Sequence, residues 1–182
     1  MSRIAIPALD QIPAASRPLL AAVHRQLGVT PNLMTMVGNS PAGLEGYLSL
    51  SGALSKGSLG GPLRERIALA VAEFNDCEYC LAAHTYLGKN LAKLSDEEIG
   101  AARAGRSSDA RADAALRFAH SVAAERGRVS DADLAALKAA GFDDAATVEI
   151  VLEVALNILT NYVNNVARTT LDFPQVAIKR AA

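Results

Sequence analysis

The chain has 182 residues, the length of one ordinary domain. Hydrophobic residues make up 51% and charged residues 20%, a balance that buries a core and argues against disorder. Eighteen Lys and Arg face nineteen Asp and Glu, for a formal charge of −1, and there is no Trp and only four Tyr and four Phe; a broad basic surface or a stacking platform for nucleic acid is thereby disfavoured.

Residues 1–13, with Pro7 and Pro13, read as extended. Ser16 is placed to cap a helix with Pro18 in its first turn, the stripe Leu19, Leu20, Val23 and Leu27, and an end at Gly28. Thr30-Pro31-Asn32 opens a short helix through Val37. Ser40-Pro41 opens another, with Leu44, Tyr47, Leu48 and Leu50 inward. Lys56–Pro62 is the clearest loop. A helix from Pro62 carries Leu63, Ile67, Leu69, Ala70 and Phe74 on its apolar face, and the next runs from about Asp76 to Lys89. Ser95-Asp96-Glu97-Glu98 is a capping signature for a helix closing near Gly105. Helical patterns then cover 110–126, a short stretch from Ser130 to Gly141, and a long apolar stretch from about Asp144 to Arg168. No alternating strand pattern of useful length occurs, so the expected class is all-α, a compact helical domain over 1–182 with no internal boundary.

The longest apolar run, around Ile150–Leu159, is interrupted by Glu153 and Asn157 and is short for a membrane span. The first thirteen residues lack the apolar core of an export signal, so the expected compartment is the reducing cytoplasm. The two cysteines, Cys77 and Cys80, cannot staple a distant loop; at this spacing they point to redox chemistry or metal binding.

On a helix, Cys77, Cys80 and His84 fall within an arc of roughly 60°, so two thiols and an imidazole share one face. Asn75 or Asp76 is the expected cap, which places Cys77 in the first turn, where the helix dipole favours a thiolate. Cys80 lies four residues before His84, a spacing suited to proton transfer between thiol and imidazole. Residues three apart on a helix are also close enough for a reversible Cys77–Cys80 disulfide. Glu65, Glu73 and Asp76 are the acids nearby. Glu65 and Glu73 stand about 80° apart around their helix, and periodicity does not choose between them.

The pattern Glu65, Cys77, Cys80, His84 resembles the alkylhydroperoxidase D-like (AhpD-like) branch of the carboxymuconolactone decarboxylase-like superfamily. The flank Thr30-Pro31-Asn32 and the C-terminal series Asn157, Thr160-Asn161-Tyr162, Asn164 and Asp172-Phe173-Pro174 resemble its longer, peroxidase-related members. The resemblance implies a cysteine-dependent peroxidase. Cys80 attacks the hydroperoxide, Cys77 resolves the sulfenic acid into a disulfide, and Glu65 with His84 relays protons. No bound cofactor or metal is implied. The implied partners are a hydroperoxide, an external thiol or dithiol reductant, and further copies of the chain in a trimer or hexamer. Founding members carry a histidine where this chain has Tyr79, so the relay is one imidazole short, and tyrosine, with a pKa of about 10, is a poor shuttle at neutral pH.

Three other readings stand beside it: a cysteine pair that merely packs, a zinc site on Cys77, Cys80, His84 and a carboxylate, and a lactone-decarboxylating relative. The row Asn157, Asn161, Asn164 and Arg168 reads first as the wetter face of a long helix. Its alternative is a polar seam against a partner or near the active site.

Overall fold

The computed structural model describes residues 2–8 and 10–178. Positions 1, 9 and 179–182 of the expected domain lie outside the described residues. Among those described there is no strand; a 3-10 turn at Ala14–Ser16 precedes nine helices. These are α1 (Arg17–Leu27), α2 (Asn32–Val37), α3 (Pro41–Leu54), α4 (Gly61–Phe74), α5 (Glu78–Asn90), α6 (Asp96–Arg103), α7 (Ala110–Ala124), α8 (Asp131–Ala139) and α9 (Asp144–Ala167).

Most helix starts follow local chemistry. Ser40, Ser95, Asp109, Ser130 and Asp143 each accept a backbone N–H in the first turn that follows, and Ser130 with Asp133 completes a capping box. Ser16 does not cap α1 as expected. The 3-10 turn runs straight into α1, so Ser16 has helical backbone angles and its hydroxyl donates to the Gly38 carbonyl at 2.7 Å. At the other end of α1, Gly28 takes φ 76°, a left-handed conformation that favours glycine, and closes the helix.

The core is built around α4. Its residues Ile67 to Ala72 are all buried, which requires neighbours on every side, and α5, α6, α7 and α9 supply them. Phe74 was expected on this buried face but is 44% exposed; it is the last residue of α4, where the surrounding helices no longer enclose it, and its ring meets His120 edge-on at 5.3 Å. Leu27, expected in the α1 stripe, is likewise exposed.

The longest helix, α9, packs on α3, α4, α5 and α7. It is long and apolar enough to cross a bilayer by length and composition alone, yet Glu153, Asn157, Asn161 and Asn164 are buried against its neighbours, as in the core helix of a folded bundle. Beyond it, residues 169–178 run back over α2 and α5. Asp172 accepts the Asn32 backbone N–H at 2.6 Å, so α2 is capped by a carboxylate from the far end of the chain.

Candidate active site

The turn between α4 and α5 sets the site. The Asp76 N–H donates to the Glu73 carbonyl at 3.2 Å and the Cys77 N–H to the Ala72 carbonyl at 2.9 Å. This pair of bonds is the Schellman closure of a helix, with Asp76 at φ 50° in the position that usually takes glycine. Cys77 therefore ends one helix and begins the next. It lies not in the first turn of α5, as expected, but at its N-cap, with extended backbone angles; its Sγ accepts the Cys80 N–H at 3.3 Å. The reason is that the closure leaves Asn75 and Asp76 committed to the end of α4. Both sulfurs are buried and free of any disulfide.

Because α4 and α5 fold back on each other across this turn, Glu65 comes opposite His84, with Glu65 Oε2 and His84 Nδ1 2.9 Å apart. Glu73, the alternative acid, faces the other way and accepts from Arg103 Nε at 2.6 Å. Burial opposes charge on His84, but the Glu65 carboxylate outweighs it and raises the imidazole pKa above its ordinary value.

Helix-dipole reasoning favours Cys77 as the more acidic thiol; the surroundings reverse that order. Burial disfavours a Cys80 thiolate, but a hydrogen bond from Cys77, the charge of His84 and the amides of Asn164 and Asn161 more than offset it and bring Cys80 below the ordinary thiol range. Donating that hydrogen bond to Cys80, together with burial, pushes the Cys77 thiol up.

By sequence alone, Asn164 belongs to a row that reads as the wetter face of a long helix. It is instead 2% exposed, and its Nδ2 donates to Cys80 Sγ at 3.2 Å. Glu153, in sequence a break in an apolar run, is buried, bonded to Arg64 Nε, and close enough to Glu65 and His84 to feel their charge. Burial raises the Glu153 pKa, with Arg64 opposing. The signals were present: three asparagines in helical register, and a lone carboxylate in an otherwise apolar run.

Tyr79, at the position of the family's extra histidine, points away from this cluster. Its hydroxyl accepts the Leu33 N–H at 3.1 Å and bonds Asp172, and its ring meets Phe173 edge-on at 5.8 Å. Burial raises its pKa. Tyr79 thus ties α5 to α2 and to the C-terminal segment.

A cavity of about 310 Å³ opens onto Glu65 and His84. Arg64, Glu153 and Tyr47 add polar groups to its wall, and Met34, Leu48, Leu87 and Leu156 make much of the rest apolar. Among the described residues, no group of three or more His, Cys, Asp or Glu side chains is arranged to hold a metal ion.

The fold and site together are an all-helical bundle with a cysteine pair at a helix start and a carboxylate–imidazole pair on the two helices that meet there. Residues 41–125, from α3 through α7, match the carboxymuconolactone decarboxylase family. The same fold is found in a peroxidase-related protein with an alkylhydroperoxidase AhpD core from Ralstonia eutropha JMP134, at 26% identity over 94% of this chain and 92% of that one, with a TM-score of 0.84. A peroxidase-related protein from Silicibacter sp. TM1040 follows at 21% identity, 92% and 89% coverage and a TM-score of 0.80. The debrominase Bmp8, in complex with 2,3,4-tribromopyrrole, superposes with a TM-score of 0.79 at 16% identity, over 94% of this chain and 92% of its own. No curated protein matches the chain in sequence. Residues 41–125 are thus similar to the carboxymuconolactone decarboxylase family, and the fold is the one seen in the AhpD-core protein.

Proposed function

We propose that the protein is a cysteine-dependent peroxidase that reduces hydroperoxides by a thiol–disulfide cycle. The observation that carries this reading is the convergence on Cys80 of a resolving thiol and a carboxylate-backed imidazole, which together favour its thiolate. In the reaction, the Cys80 thiolate attacks the distal oxygen of the hydroperoxide. An S–O bond forms, the O–O bond breaks, and sulfur is oxidised to sulfenic acid while the peroxide is reduced to an alkoxide. His84, held as an imidazolium by Glu65, protonates the alkoxide to an alcohol. Cys77 then displaces water from the Cys80 sulfenic acid and closes a Cys77–Cys80 disulfide. An external thiol or dithiol reduces the disulfide and is itself oxidised. The partly apolar cavity beside His84 suits an organic hydroperoxide.

The test is direct. Reduced protein treated with one equivalent of cumene hydroperoxide, then alkylated and digested, should show Cys77 and Cys80 joined and one equivalent of alcohol released. Two free thiols after treatment would overturn the reading.

A second reading comes from the fold shared with the debrominase. A dithiol that closes to a disulfide releases two electrons and two protons, which balances the conversion of a carbon–bromine bond to carbon–hydrogen with loss of hydrogen bromide. Bromide release from 2,3,4-tribromopyrrole by the reduced protein, with no reaction toward hydroperoxides, would favour this reading over the first.

Further copies of the chain are the third expected partner. The outer side of α9 carries Val148, Leu152, Leu159, Tyr162 and Val166, all exposed and four, seven, three and four residues apart in turn. This apolar stripe supports association of one copy with another.

A further inference from the structure

We propose that Asn161 and Asn164, both on α9, form a two-amide anion hole that holds negative charge on the Cys80 sulfur. The proposal deepens the peroxidase reading and is tested independently of it. Neither asparagine lies within residues 41–125, the part of the chain matched to the family.

The geometry is specific. The two residues are three apart on α9, so both side chains leave the same face of the helix. Both are buried, at 0% and 2% exposure. Asn164 Nδ2 donates to Cys80 Sγ at 3.2 Å. The amide of Asn161 meets one neighbour: its Oδ1 accepts from Asn75 Nδ2 at 2.9 Å. With Oδ1 turned to Asn75, the donor end of the Asn161 amide is left facing the interior. That donor, Nδ2, is buried and makes no hydrogen bond among the described residues, yet it is near enough to Cys80 to favour its anion. A buried donor without an acceptor is costly, and a thiol is a weak acceptor. A thiolate is a strong one. The pair of amides is therefore arranged for the charged sulfur rather than the neutral one, as the donors of an oxyanion hole are aimed at charge that the resting group does not carry.

The amides also complement the other groups that face Cys80. These are Cys77 at the helix start, His84 on α5, Tyr47 on α3, and, through His84, Glu65 on α4 and Glu153 on α9, while Tyr79 is turned away but still within range of its charge. Of these only His84 carries positive charge, and it is the group that surrenders a proton to the leaving alkoxide. The two amides are fixed dipoles that hold the sulfur's charge whatever the state of the imidazole.

The experiment follows ionisation of Cys80 by ultraviolet thiolate absorbance against pH in a Cys77→Ser background, so that one thiol titrates. Asn164→Asp, which keeps the shape and replaces a donor by a carboxylate, should lower the ionisation constant of Cys80 about tenfold or more. Asn161→Leu and Asn164→Leu should each lower it about threefold or more. A second measurement needs no substitution at either asparagine: in the Cys77→Ser protein, the side-chain amide proton resonances of both residues should move with pH at the midpoint of Cys80. An unchanged ionisation constant in folded variants, or amide resonances that ignore the Cys80 titration, would overturn the proposal. No peroxide is used, so an anion hole on a protein that fails to turn over hydroperoxide would sink the peroxidase reading alone, and peroxide turnover with an unshifted Cys80 would sink the anion hole alone.

Discussion

Glu65 and His84 sit on consecutive helices, nineteen residues apart in sequence, and meet at 2.9 Å because the intervening turn folds α5 back along α4. Each is 23% exposed, so the pair is shielded without being sealed, and it borders the cavity. Removing the carboxylate by Glu65→Gln should lower the His84 pKa and slow Cys80 oxidation by about 10²-fold, the lower end of what positioned acid–base groups contribute. Glu73→Gln should leave that rate within about twofold, since Glu73 faces Arg103. Stopped-flow oxidation of the two variants by a single hydroperoxide separates them.

The pH dependence follows from the sulfur and the imidazole together. The Cys80 thiol is lowered to about 7. A group whose folded pKa is depressed adds stability above its unfolded pKa, and that stability is lost as pH falls through the folded value. The reduced protein should therefore gain stability, relative to Cys80→Ala, as pH rises from about 7 to about 9. His84, raised in the folded state, works in the other direction: its contribution is complete below the ordinary histidine range and fades as pH climbs through its elevated value. Urea midpoints of wild type, Cys80→Ala and His84→Ala across this range measure both signs. Cys80 alkylation in a Cys77→Ser protein should rise with pH along the same thiolate curve.

The connection at Asp76 is a structural test of the site's placement. A β-branched side chain tolerates φ 50° poorly, and Asp76→Val should destabilise the protein by about 1–2 kcal/mol. Asp76→Gly, which relieves the same conformation, should be neutral or stabilising by up to about 1 kcal/mol. Denaturant unfolding of the two variants reports the difference.

Glu153 is buried with a single strong partner, Arg64. Arg64→Met leaves that carboxylate uncompensated and should cost about 3 kcal/mol, whereas the double change Arg64→Met with Glu153→Leu should recover most of the loss. A double-mutant cycle in urea reads the coupling directly.

If the outer stripe of α9 joins copies of the chain, charged residues there should separate them. Tyr162→Glu with Val166→Glu should shift the protein to a smaller species in sedimentation, with the helical spectrum unchanged. An assembly of unaltered size would show that this stripe is not the contact.

Much of the fold was legible because its signals are local. Capping residues such as Ser40, Ser95 and Ser130 announce helix starts wherever the chain places them, and each does so here. Ser16 failed as a cap because a preceding turn, which has no side-chain signature, changed its backbone angles. Cys77 was displaced from its expected turn by a closure that normally advertises itself with glycine and here uses Asp76. The proximity of Glu65 to His84 needed the antiparallel packing of two helices, which periodicity alone could not select over Glu73. Asn161 and Glu153 were harder still: a polar side chain on a long helix looks the same in sequence whether it meets water or a buried partner, and only the packing of α9 on α4 and α5 decides.

The doubled role of Cys77 reaches beyond catalysis. Its sulfur caps α5 only while it is free to face the Cys80 amide. Bonding to Cys80 would turn that lone pair aside and leave the first amides of the helix unprotected. Solvent deuterium should then enter the start of α5 faster in the spent protein than in the fresh one, so that the isotope pattern of a single peptide becomes a gauge of how far the cycle has run.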